Sequence, residues 1–391
     1  MKQTLQRMGM GFCAAATLAL AACGGGGGIG GTGSPVGSLR FAITDAPACG
    51  YDQVNITIQK VRVHQSGGAA DADSGWSEVV LAPEKRVDLL KLTNGVLEEL
   101  GQTTLPTGKY TQLRLVLAEN TSAAPLANSV VPTGGAETAL DTPSAAQSGL
   151  KLNVDIDVPA GQLADFVIDF DACKSVVPRG SSGRFDLKPV IRVIPRLADA
   201  GLRVVGYVAP AIANTATQVS LQLNGTPVKA TVPDASGSFV LYPVPVGNYD
   251  LVVTATGRAT SVLTSVPVTT ATVTTVNGTA TAINPTVSAS RTVTGTVTPT
   301  SATVRATQAL SGGPTIEAAW APVDADTGRF AFTLVQAAPG KAAYVPNPAT
   351  LTFTPAAAAG NYRLEASSGI ATQAQAIDVT APVPPVTFIF P

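Results

Sequence analysis

Asp45, Asp169, Asp171, Lys174 and Lys188 are the residues of this sequence whose types and spacing could do chemistry together. Asp169 and Asp171 flank Phe170, so on an extended strand both carboxylates leave the same face. Cys173 follows them, and Cys49 lies just after Asp45. A bridge between these two cysteines would draw Asp45 toward Asp171 and Lys174. Such a cluster reads first as a salt-bridged, hydrogen-bonded strand end, and second as a small cation or ligand site. As a glycosidase pair it lacks an aromatic-lined cleft in the surrounding sequence.

Other reaction types find less. No Gly-x-Ser-x-Gly is present, and the one histidine, His64, closes the alternating stretch from Val54, just before the Gln65-Ser66-Gly67-Gly68 turn. That is the position of a strand-end residue rather than of a catalytic base. Neither Cys-x-x-Cys nor His-Glu-x-x-His occurs, so zinc and copper have no ligand pattern. Asp71-Ala72-Asp73-Ser74-Gly75 and Asp324-Ala325-Asp326-Thr327-Gly328 open like calcium loops. Both lack the downstream bidentate Glu, and Asp-to-Gly hairpin chemistry accounts for them. Trp76 and Trp320 are isolated and read as packing residues. The expectation is no cofactor, no metal and no enzymatic activity.

The elements that must position these residues are strands. Leu39–Ile43, Val54–Val63, Leu113–Leu117, Leu150–Ile156, Phe166–Phe170 and Val190–Ile194 alternate or run apolar. One stretch breaks the period: Leu89, Leu90, Leu92, Val96, Leu97 and Leu100 recur at helical spacing, and Gly101 could end the element. A short helix is expected there.

Charge divides the 391-residue chain: residues 39–200 hold 34 charged side chains and residues 201–391 only 15. The Val/Thr/Ala-rich second half has the composition of extended β-structure. The net charge of −1 gives no footprint for nucleic acid.

The second half also repeats. Val205-Gly206-Tyr207-Val208 matches Val293-Thr294-Gly295-Thr296-Val297, and the two glycines lie 89 residues apart. Asp234 to Phe239 matches Asp324 to Phe330, and Gly247-Asn248-Tyr249 matches Gly360-Asn361-Tyr362. The last pair is offset by 113 residues, so the second copy carries an insertion around Val335–Pro355. Tandem β-sandwiches follow.

Three resemblances add to this reading. Leu20-Ala21-Ala22-Cys23, after a basic start at Lys2 and Arg7 and an apolar run Met8–Ala22, resembles the bacterial lipoprotein cleavage box. It implies removal of residues 1–22, a diacylglyceryl group on Cys23, and a cell-envelope location. Gly24 in place of Asp implies transfer to the outer membrane. Residues 23–38, dominated by glycine, then form a tether reaching about 20 Å. In that compartment Cys49 and Cys173 are expected to bridge, closing a loop worth roughly 5 kcal/mol by chain entropy.

Val244-Pro245-Val246-Gly247-Asn248-Tyr249-Asp250-Leu251, with the Gly-x-Val strand and the Asp-x-x-Gly-x-Phe hairpin, is similar to the carboxypeptidase regulatory-like domain, a transthyretin-type sandwich. The second copy departs from it, with Ala356–Ala359 where the Pro-rich approach should stand. Thr44-Asp45-Ala46-Pro47, Val54–Val63, Leu105–Tyr110 and Asp169–Ser175 resemble the DUF4382 family of bacterial lipoproteins, which implies location and architecture but no chemistry. Leu105 to Leu113 also echoes the Pro-x-Gly-x-Tyr-x-Leu hairpin.

The expected protein is all-β. A DUF4382-like sandwich with one short helix spans 39–198, and two tandem transthyretin/Ig-like sandwiches span 199–286 and 287–391. The expected role is a lipid-anchored, non-catalytic binder of an envelope protein or polysaccharide. A structural part of the envelope is the second expectation, and a hydrolase using the Asp cluster a distant third.

Overall fold

Alternating apolar residues fix the first sandwich, and an irregularity in that alternation shows how. In the strand Tyr51–His64 the buried apolar positions are Val54, Ile56 and Ile58, then Val61 and Val63. The parity flips because a β-bulge between Ile58 and Lys60 inserts one residue and keeps both stretches facing the core. The computed structural model describes residues 35–45, 50–197 and 200–391. The leader 1–22, Cys23, most of the tether, Cys49 and the junction at 198–199 lie outside the described residues.

One sheet of the first sandwich runs Ile191–Pro195, Leu163–Phe170, Val36–Asp45, Glu98–Pro106. The other is centred on Tyr51–His64 and Gly108–Leu117, and Leu150–Val158 forms an edge. Leu39, Phe41, Ile56, Leu113, Leu115 and Phe170 are fully buried between the sheets.

The helix expected over Leu89–Gly101 does not form. Only Leu89–Lys91 makes a 3-10 turn, capped by Asp88 Oδ1 accepting from Leu90 N at 3.3 Å, and Glu98–Pro106 is a strand. Asn94 at φ 57° and Gly95 at φ 80° reverse the chain between them. Leu89, Leu92 and Leu100 are nonetheless buried in the same core, which is what their spacing reported.

The two repeats share one topology. In the first, Val204–Tyr207 lies between Ser238–Leu241 and Thr274–Thr275, opposite a sheet ordered Thr226–Thr231, Thr217–Leu223, Gly247–Ala255, Ser261–Val268. In the second, Ser290–Thr298 lies between Arg329–Val335 and Val386–Ile389, opposite Thr315–Ala321, Thr303–Ala309, Asn361–Ser368, Ala371–Asp378. The repeated motif has a packing cause. Gly206 pairs with Phe239 and Gly295 with Phe330, and each ring tip lies over its glycine. A Cβ there would sit 2.6 Å from Phe239 Cζ or 2.3 Å from Phe330 Cζ, so only glycine fits.

A tyrosine closes the long hairpin in each module. Tyr110 donates to Pro106 O at 2.8 Å and Tyr249 to Pro245 O at 2.9 Å, the same four-residue reach. In the third module, where alanines replace the proline approach, Tyr362 donates instead to Val335 O at 2.9 Å.

The insertion of the second copy belongs structurally to its neighbour. Gly340–Ala343 pairs in parallel with Ser261–Val268, and Thr354–Pro355 pairs with Gly340–Ala343, extending the preceding sandwich's sheet. Val252, Val262, Leu310, Ile316 and Ala356 form a small separate core where the two sandwiches meet. Residues Pro35–Pro391 form one compact unit.

Candidate functional site at the module junctions

Parallel pairing of Val36–Asp45 with Leu163–Phe170 sets Asp45 opposite Phe170 and Thr44 opposite Asp169. The parallel ladder therefore brings Asp45, Asp169 and Asp171 to one end of the sheet. Asp45 is buried; its Oδ1 accepts from Ala172 N at 2.9 Å, and its Oδ2 has no hydrogen-bond partner among the described residues. Burial pushes its carboxyl well above the usual carboxylate range, with the charges of Asp171 and Asp169 adding to the effect. Asp171 caps the turn Ala172–Ser175 by accepting from Lys174 N at 3.0 Å, and desolvation raises it to about 6.

Each remaining member of the set reaches into another module. Asp169 is buried and ion-paired with Lys229, itself only 3% exposed, from the strand Thr226–Thr231. Lys174 Nζ donates to Glu317 Oε1 of the third module at 2.6 Å. Lys188, expected in the acidic cluster, donates instead to Thr300 O of the third module at 3.0 Å. Cys173 is disulfide-bonded; Cys49, its expected partner, lies outside the described residues.

The calcium-like loops are hairpin turns whose carboxylates are already engaged. Asp324 Oδ1 accepts from Asp326 N at 3.1 Å and from Thr327 N at 2.8 Å, and its Oδ2 accepts from Gly180 N of the first module at 2.7 Å. Asp73 Oδ2 accepts from Ala70 N at 2.8 Å, while Asp71 pairs with Arg62. Among the described residues, no three His, Cys, Asp or Glu side chains converge as a metal would require. His64 is spent locally: Nδ1 accepts from Ser66 N at 2.9 Å, Nε2 contacts Ser74 O at 3.0 Å, and its ring lies 5.0 Å from Trp76.

Above the Lys174–Glu317 pair the three modules enclose a cleft of about 580 Å³. Tyr51 and Lys174 come from the first module, and Gln218, Thr254 and Arg258 from the second. Glu317, Trp320 and Phe332 come from the third. The size is that of a small-molecule site. Lys174 Nζ sits 4.7 Å from the Trp320 ring centroid, and the buried Trp320 indole N–H has no acceptor among the described residues. Trp320, read from the sequence as a packing residue, thus lines a cavity.

Sequence reasoning missed Lys229, Glu317, Tyr51, Gln218 and Arg258. A signal existed for two of them. Lys229 stands between Val228 and Ala230, and Glu317 between Ile316 and Ala318, in a region almost without charge. A charge inside an apolar strand implies a buried partner.

The fold defines an all-β chain of three joined sandwich modules. Residues 36–189 match the family model described as "Domain of unknown function (DUF4382)", so the first module is a DUF4382 domain. No curated protein matches the chain. Two solved structures of type II cohesin–X-dockerin complexes from Acetivibrio cellulolyticus, a C-terminal and an N-terminal interface mutant, show local similarity. They are 26% and 24% identical, over 21% and 22% of this chain, with TM-scores of 0.18 and 0.19. The chain spans 56% and 59% of those chains, and at such TM-scores the likeness carries no weight for fold or partner. Among the described residues, no helix is long and apolar enough to cross a membrane.

Proposed function

We propose that this is a lipid-anchored cell-envelope protein of the outer membrane whose three modules act as one non-catalytic binding head. The observation that carries the reading is the cleft where all three modules meet, floored by the Lys174–Glu317 pair. Binding sites favour such junctions, and a site built from three modules needs all of them held in fixed relation. The buried Asp169–Lys229 pair and the strands shared between the two repeats provide that hold. The anchor is supported by the Leu20–Cys23 motif and the glycine-rich stretch behind it. The first of the two like-folded repeats is assigned to the carboxypeptidase regulatory-like class on the residues Gly206, Phe239, Gly247 and Tyr249, and the second to a diverged copy of it.

Fractionation tests the anchor. The native protein is expected in the membrane fraction and the Cys23→Ser variant in the soluble fraction; equal extractability of both refutes anchoring. The head is tested by capture from detergent-solubilised envelope with full-length protein as bait. Captured material is expected to fall away in the Trp320→Ala variant, and capture indifferent to that change refutes the cleft as the binding face.

A further inference from the structure

We propose that the cleft between the modules binds an uncharged saccharide; this rests on the reading of the cleft as the binding face and names its ligand class. The first argument is charge. Lys174 and Glu317 neutralise each other at 2.6 Å, and Arg305 stands 3.7 Å behind Glu317. Arg258 donates from Nη1 to Pro285 O at 3.1 Å and leaves one isolated positive charge at the wall. No cluster of like charge awaits an anionic or cationic ligand.

The second argument is the wall. Gln218 and Thr254 are cross-strand partners in the middle module, so their side chains leave the same sheet face toward the cavity. Thr333 lines it from the third module. None of these three side chains makes a hydrogen bond within the described residues, so their hydroxyls and amide are available to a ligand. The indole N–H of Trp320 adds a buried donor lacking an acceptor, the kind of group a bound hydroxyl satisfies. Tyr51 supplies ring surface beside these polar groups. Hydroxyl-rich walls, an orphan indole donor, a flanking aromatic ring and the absence of a cluster of like charge are together complementary to a neutral polyhydroxylated molecule. A peptide offers fewer hydroxyls to these groups.

The test is isothermal titration calorimetry of the full-length protein in detergent micelles with maltotetraose, cellotetraose, xylotetraose, mannotetraose and chitotetraose. A saturable change with at least one of these sugars is expected, weakened tenfold or more by Gln218→Ala and by Trp320→Phe. Trp320→Phe keeps a ring under Lys174 but removes the N–H, and Gln218→Ala leaves the charge pair untouched, so loss of binding with unchanged Tm reports the ligand rather than folding. No saturable change with any of the five, or binding indifferent to both variants, overturns the saccharide. If envelope capture still depends on Trp320 while no sugar binds, a peptide ligand replaces the saccharide and the binding head stands; if capture fails too, both fail.

Discussion

Gln222 pairs with the backbone of Glu317 as though it were a neighbouring strand. Its Nε2 donates to Glu317 O and its Oε1 accepts from Glu317 N, both at 2.8 Å. Gln222 is 2% exposed and Glu317 8%. The carboxamide thus holds in place the residue whose side chain meets Lys174, binding three modules through one amino acid. Asn94 performs the same service for the first two modules. Its Nδ2 donates to Ser238 O at 3.4 Å, and its Oδ1 accepts from Val240 N, along the edge of Ser238–Leu241.

Removing the Gln222 carboxamide leaves a buried N–H and C=O of Glu317 without partners. Gln222→Leu is expected to destabilise the protein by about 2–4 kcal/mol, from the cost of unsatisfied buried groups. Urea unfolding followed by tryptophan fluorescence measures it; a change within about 0.5 kcal/mol would show the pairing to be incidental.

Lys229 and Asp169 form a buried pair with the raised carboxyl of Asp45 nearby. Lys229→Met strands a carboxylate in that environment and is expected to cost about 3–5 kcal/mol. The double change Lys229→Met with Asp169→Leu should recover most of the loss, because the penalty lies in the unpaired charge. A double variant as unstable as the single one contradicts this.

Asp171 titrates at about 6 in the folded protein against 3.8 as the ordinary value. The folded state therefore holds the proton more tightly, so its contribution favours folding at low pH. It is lost as pH rises from about 4 through about 6, at about 3 kcal/mol for a shift of this size. Asp171→Asn keeps an acceptor for Lys174 N and should flatten the stability profile in that window while raising stability at pH 7. Chemical denaturation at pH 4.5 and 7 decides it; the same pH slope in both proteins would acquit Asp171.

Cys173 is disulfide-bonded, and Cys49 is its expected partner. Proteolysis without reductant, followed by mass spectrometry, should yield one peptide pair joining residues 49 and 173. Reduction should then lower stability by up to about 5 kcal/mol. A peptide pair joining Cys173 to Cys13 or Cys23 would refute the assignment.

Period-two alternation made most strands legible, since Leu39–Ile43, Leu113–Leu117 and Phe166–Phe170 each lie within an observed strand. The repeat was legible because a ring over a glycine is a constraint that survives in the residue types themselves. The helix over Leu89–Gly101 misread because a loop and a strand start can bury the same leucines at the same spacing; Asn94-Gly95 was the turn signal that outweighed it. The candidate site was legible only in part. Asp45, Asp169 and Asp171 do converge, through a parallel ladder, but what they face depends on Lys229 and Glu317, 60 and 143 residues further on from Asp169 and Lys174 respectively. Contacts at such separations follow from how whole modules dock, and docking leaves no periodic trace.

Gly340–Ala343 continues a sheet that began more than a hundred residues earlier, at Thr217. Severing the polypeptide between the repeats would strip Ser261–Val268 of its neighbour and leave a bare row of amides and carbonyls, the template on which chains polymerise. The last two modules are thus obliged to be inherited, expressed and melted together, and a fragment ending at residue 286 should come out of the cell as aggregate.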